Sequence, residues 1–252
     1  MTIPGFPIPE EVLIVSQFIA ALERPVSRLR LENYRSATGS DLEMVVNYFY
    51  NLELSEALYP TLQAFEIALR NSIHITLTDH HQTPYWFDQE GFLPQRQERQ
   101  INDARSTLTK EGKPHDPDRI VAALHFGFWH SMFNSPFEQS LWRPNQLALV
   151  GQVFPQASRK QRNRQQVWDR IDRIRIIRNR VMHYEPIWRR TRLADDHANI
   201  LEALNWISPA MHDTIAMCDR FPVVQDGGRA DMQQRIQLNI QNRHPSPTPT
   251  TP

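Results

Sequence analysis

Apolar residues recur at three- and four-residue spacing over long windows, and no long alternating Val/Ile/Thr run occurs. That pattern predicts helix along nearly the whole chain. With only 8 glycines in 252 residues, the expected fold class is all-α. The spacing predicts helices over Pro9 to Leu22, Pro25 to Tyr34, Asp41 to Tyr50, Leu54 to His80 and Gln97 to Glu111. Further helices are expected over Pro117 to Phe133, Asn145 to Phe154, Ser158 to His183, Leu193 to Trp206 and Pro209 to Arg220. Ser40 with Glu43 reads as a capping box. Asp116 before Pro117 and Ser208 before Pro209 pair a capping side chain with proline at the first helical position. Pro60 interrupts the backbone hydrogen bonding of its helix, which predicts a kink or a start there.

After Val224 the periodicity fades. The segment QDGGRADMQQRIQLNIQNRHPSPTPTTP opens on a glycine pair and closes in alternating prolines and small hydroxyl residues. Such a composition predicts a disordered tail over 225–252 and one helical domain over 1–224.

Two charges break the apolar faces. The helix through Val167, Ile171, Ile174, Ile177 and Val181 carries Arg178 into its core stripe, where an unpaired charge is strongly unfavourable. In the helix whose stripe is Leu58, Leu62, Phe65, Leu69 and Ile73, Glu66 falls on the stripe's edge. The two are expected to pair. The alternative is a solvated pair of Glu66 with Arg70, worth a few tenths of a kcal/mol. Asn179 and His183 share a different face with Asp172 and Ile176, and the apolar Ile176 there suggests cover by a second subunit. Pro186 disfavours helical geometry at Glu185, so the helix should stop near His183 or Tyr184.

Formal net charge is +0, yet the segment from Ser158 to Arg180 holds nine Arg or Lys against Asp169 and Asp172. That concentration points to a phosphate-bearing partner, with Arg159, Lys160, Arg162, Arg164 and Arg175 as backbone contacts. The competing reading is a solvated helix face. A single cysteine, Cys218, excludes an intrachain disulfide and a cysteine-based zinc cluster. No metal is proposed, because His80 and His81 lack ligand spacing. No apolar stretch approaches the roughly 20 residues that span a bilayer. Prolines and the acidic pair Glu10 and Glu11 precede the first apolar run, which argues against a signal peptide. The expected setting is cytoplasmic, without membrane contact.

The run RNRVMHYEP, Arg178 to Pro186, resembles the Arg-Asn-x-x-x-His signature of the HEPN superfamily, in particular its Abi-like (abortive infection) branch. LYPTLQAFEIALRNSIHITL followed by PYWF resembles that family's earlier helix and Trp-bearing turn. HFGFWHSMF and the later Phe154-Pro155 resemble its middle section, so the resemblance spans roughly Leu29 to Trp206. Many relatives place a second histidine where this chain has Tyr184.

The resemblance implies a HEPN-type helical bundle, here with additional N-terminal helices. It also implies a homodimer that joins two arginine–histidine motifs, and metal-independent endoribonuclease activity of phage-defence or toxin type, with an antitoxin or defence protein as a possible partner. Arg178 and His183 would be catalytic and Asn179 the adjacent polar residue; the helical faces, more than the resemblance, add Glu66 and Arg70 as supporting groups. Two rivals stand beside it: a catalytically silent helical module that binds RNA or protein, and a DNA-binding regulator, which the lack of a recognisable recognition helix disfavours.

Overall fold

A computed structural model describes residues 10–142 and 149–243. The described residues are helical with no strand, as the periodicity predicts. The elements are α1 (Glu10–Val26), α2 (Arg28–Glu32), α3 (Asp41–His81), α4 (Gln95–Lys110), α5 (Pro117–Ala123), α6 (Phe126–Ser131), α7 (Arg164–Met182), α8 (Leu193–Ile207), α9 (Pro209–Ala216) and α10 (Phe221–Arg243). A 3-10 turn at Trp86–Asp88 and a π-helical turn at Glu138–Trp142 lie between them.

Where a capping signal was legible, the cap forms. Ser40 N donates to Glu43 Oε2 at 2.9 Å and Glu43 N donates to Ser40 Oγ at 3.2 Å, closing the capping box. Arg119 N donates to Asp116 and Met211 N to Ser208 Oγ, each beside its proline. Several boundaries differ from expectation. The two helices expected at Asp41 and Leu54 are one 41-residue helix that carries Pro60 inside it. The linking residues Asn51, Leu52 and Glu53 contain no breaker, and Pro60 alone does not end the helix. The helix expected over Pro117 to Phe133 is split by extended backbone at Leu124 and His125. α7 begins at Arg164 and not Ser158, because Asn163 accepts from Gln166 N at 2.9 Å and caps it. Of the helix expected over Asn145 to Phe154, residues 149–153 are helical and 145–148 lie outside the described residues.

The chain divides into two compact units. The first comprises Met1–Ala57, Tyr184–Arg190 and Arg220–Pro252. Leu31, Tyr34, Met44, Val45, Leu54, Ile187 and Phe221 make its buried core. Asn51 is buried within it, and its Oδ1 accepts from Ile187 N at 2.6 Å and Trp188 N at 3.1 Å. The carbonyl of Tyr184 accepts from Arg30 at 2.7 Å and from the Tyr34 hydroxyl at 3.3 Å. Tyr184 has φ 58°, a left-handed conformation that costs a residue bearing Cβ about 1 kcal/mol or more.

The segment expected to be a disordered tail from residue 225 is instead helical to Arg243. Gly228, at φ 60° and ψ −159°, breaks α10 into two stretches, a backbone conformation open to glycine. Beyond it Met232, Ile236 and Ile240 recur every fourth residue and are buried. Burial of that stripe offsets the ordering entropy that the polar composition was expected to leave unmet. Residues 244–252 lie outside the described residues.

The second unit comprises Leu58–His183 and Thr191–Asp219. In α3 the residues Leu58, Leu62, Phe65, Leu69, Ile73 and Leu77 are buried, and in α7 the stripe Val167, Ile171, Ile174, Ile177 and Val181 is buried as its spacing predicts. Aromatic rings fill the space around them: Phe133 stacks on Trp142 at 4.8 Å, and Trp86 meets Trp129 at 6.4 Å.

Candidate functional site

The RNRVMHYEP run lies across the end of α7, which stops at Met182 with His183 as its C-cap. Pro186 and the left-handed Tyr184 prevent further helix. Arg178 reaches across to α3, where its Nε donates to Glu66 Oε2 at 3.3 Å. The pairing expected from the two helical faces is therefore present, while Arg70 hydrogen-bonds Asn71 at 3.2 Å and not Glu66. Both members of the pair keep about a quarter of their side-chain surface, 23% for Arg178 and 25% for Glu66. The guanidinium is thus anchored without being sealed away.

Two more contacts hold it. Arg178 Nη1 donates to Asn179 Oδ1 at 3.4 Å, and the guanidinium carbon lies 5.8 Å from the centre of the Phe126 ring. Phe126, at the start of α6, escaped the sequence reading as a site residue, although HFGFWHSMF marks its block. Asn179 O accepts from His183 N at 2.9 Å. The His183 side chain is exposed, and among the described residues its ring has no hydrogen-bond or ion-pair partner. The motif therefore offers a held cation with an adjacent amide and, at the helix end, an open imidazole.

On the same side of α7 as Asn179, Asp172 holds His130 Nε2 at 3.0 Å and Arg175 Nε at 2.8 Å. Burial pushes the His130 pKa below its usual value, opposed by the Asp172 charge. Ile176 on this face is 39% exposed.

The basic segment is organised differently from the phosphate track expected of it. Arg164 is buried, donates to Phe133 O at 2.8 Å and pairs with Glu138 at 3.2 Å, so the role of an RNA contact does not fit it. Arg162 is bound to the carbonyls of Ala157 and Pro155, and Arg175 is occupied by Asp172. Arg170 pairs with Glu202 and covers Trp206 at 4.2 Å, while Arg173 pairs with the buried Asp196. Arg159 and Lys160 remain exposed in the turn before α7. Asp172 is a local partner within α7, whereas Glu202 and Asp196 lie in α8 and Glu138 in the π-helical turn, where a count of local charge could not find them.

Among the described residues no three His, Cys, Asp or Glu side chains converge as a metal site requires, and no helix is long and apolar enough to cross a membrane. Set against family models, curated proteins and solved structures, the chain matches none.

Proposed function

We propose that the protein is an endoribonuclease that cleaves RNA through the substrate's own 2′-hydroxyl, in keeping with its resemblance to the HEPN superfamily. The observation that carries this reading is the Arg178 guanidinium, held by Glu66 at 3.3 Å, five residues before the exposed imidazole of His183. In this reaction a base removes the 2′-proton and O2′ bonds to phosphorus. The P–O5′ bond breaks, and an acid protonates the departing 5′-oxygen. The products are a 2′,3′-cyclic phosphate and a 5′-hydroxyl.

Arg178 binds the phosphate and stabilises its additional negative charge in the transition state. His183 supplies one proton-transfer role, and His183 of a second copy supplies the other. Asn179 steadies the guanidinium or donates to a phosphate oxygen. In a cell this chemistry suits a phage-defence or toxin-type effector, held in check by a partner protein.

A second reading, a catalytically silent RNA- or protein-binding module, is favoured by one observation. Most of the arginines expected to track RNA are engaged within the chain, as with Arg164 on Phe133 O. One experiment separates the two. Purified protein is incubated with total RNA in excess EDTA, alongside His183→Ala. Cleavage ending in cyclic phosphate and lost in the variant supports the enzyme; intact RNA with retained binding supports the module.

A further inference from the structure

Glu66, Arg70 and His74 follow one another at four-residue steps along α3, about 6 Å of rise per step. One turn beyond Glu66, the helix borders a cavity of 360 Å³ lined by Arg70, Asn71, His74 and Ile75 of α3 and by Asp118 and Val121 of α5. The size lies in the range of about 300 to 1,000 Å³ typical of small-ligand sites. Its polar groups have a defined hydrogen-bonding sense. His74 Nδ1 accepts from Trp86 Nε1 at 3.0 Å, so in the neutral ring the hydrogen sits on Nε2. Burial lowers the His74 pKa and keeps the ring neutral at pH 7.

The Nε2 donor lies 3.8 Å from Asp118 Oδ1, outside hydrogen-bond range, and the Asp118 side chain is 93% exposed. Asn71 Oδ1 already accepts from Arg70, which leaves its amide hydrogens as donors. The cavity therefore presents the Asp118 carboxylate as acceptor beside donors from His74, the Asn71 amide and the remaining N–H groups of the Arg70 guanidinium. Ile75, 59% exposed, adds apolar surface of the kind that receives the face of a flat ring.

We infer that this cavity is a nucleobase subsite whose hydrogen-bond pattern selects guanine. Guanine alone among the four bases carries two adjacent donors, N1–H and the N2 amine, next to an acceptor, O6. The two donors match a carboxylate, and O6 can accept from His74 Nε2–H or the Asn71 amide. Adenine and cytosine place a ring acceptor where the carboxylate needs a donor, and uracil flanks its single N–H with two carbonyls. That the base belongs to an RNA strand running past Arg178 rests on the ribonuclease reading; the choice of base does not. The Trp86–His74 bond also gives the PYWF turn a purpose, since it sets which imidazole nitrogen carries the hydrogen.

The test is calorimetric titration of the full chain with guanosine, inosine and adenosine 5′-monophosphates, for wild type and Asp118→Asn, with cleavage sites in RNA mapped by sequencing. Guanosine monophosphate should bind at least about tenfold tighter than adenosine monophosphate, with inosine, which lacks the N2 amine, between them. Asp118→Asn, at an exposed position, should bring the ratio close to one. Equal binding by wild type, no binding of any of the three, or a ratio unchanged in the variant overturns the subsite. Discrimination with intact RNA leaves the subsite standing and removes the ribonuclease. Cleavage dependent on His183 without discrimination does the reverse.

Discussion

Arg178 on α7 and Glu66 on α3, 112 residues apart in sequence, meet through one hydrogen bond of 3.3 Å. Since each keeps roughly a quarter of its side-chain surface, the pair lies between a solvated ion pair, worth about 0–1 kcal/mol, and a sealed one, whose disruption costs about 3–5 kcal/mol. Glu66→Gln should lower unfolding free energy by about 1–2 kcal/mol. A double-mutant cycle with Arg178→Met in urea should give a coupling near 1 kcal/mol. Coupling within error of zero removes Glu66 as the group that holds the guanidinium. Under the ribonuclease proposal Glu66→Gln also slows cleavage while leaving His183 in place.

Asn51 gives a sharper stability effect. Replacement by Ala strips the acceptor from two backbone N–H groups, those of Ile187 and Trp188. Orphaned donors at a buried position cost about 1–3 kcal/mol each, so Asn51→Ala should lose at least about 2 kcal/mol in chemical denaturation. Asn51→Asp, which retains the acceptor oxygen, should lose less; equal losses in the two variants count against this account.

Acid should weaken the fold already as pH falls through the ordinary histidine range. His130 and His197 are both held below the ordinary histidine pKa by burial, despite their partners Asp172 and Asp219. The unfolded chain therefore binds protons at these sites more readily, and stability rises with pH. Their contribution is complete above the unfolded value near 6.5 and is lost as pH falls from there toward the lower folded values. Glu32, held low chiefly by Arg35, and Asp41, held low chiefly by Arg28, act only below the ordinary carboxylate range. Denaturation midpoints measured from pH 7.5 to 5.5 should fall, and His197→Gln should flatten that slope; a midpoint independent of pH across this window contradicts the assignment.

The helical segment beyond Gly228 predicts a loss where a disordered tail predicts none. Ile236 is 7% exposed, and Ile236→Ala should destabilise the protein by about 2–4 kcal/mol. Truncation after Val224 should do more. A truncated chain with an unchanged unfolding midpoint would show that α10 contributes nothing to the first unit.

Much of this architecture was legible locally. The three- and four-residue recurrence in Leu58, Leu62, Phe65, Leu69 and Ile73, and in Val167, Ile171, Ile174 and Ile177, names the buried face of each helix. Ser40, Asp116 and Ser208 name their own caps. Each is a short-range relation, fixed by helical geometry within a turn or two. The sequence by itself therefore determined an all-helical chain, and it drew Arg178 and Glu66 out of the crowd because each charge conflicts with an apolar stripe.

What lay beyond reach depends on which helices meet. Local charge density marked Arg164 as a surface contact, whereas Phe133 O and Glu138 enclose it. Polar composition marked the stretch after Val224 as disordered, whereas three apolar residues found a face to cover. For Arg170 and Arg173, whether a basic side chain is spent inside the protein or left for a ligand is set by acceptors far away along the chain, Glu202 and Asp196. Only tertiary packing could bring Glu66 to Arg178 and leave the His183 side chain exposed at the end of α7.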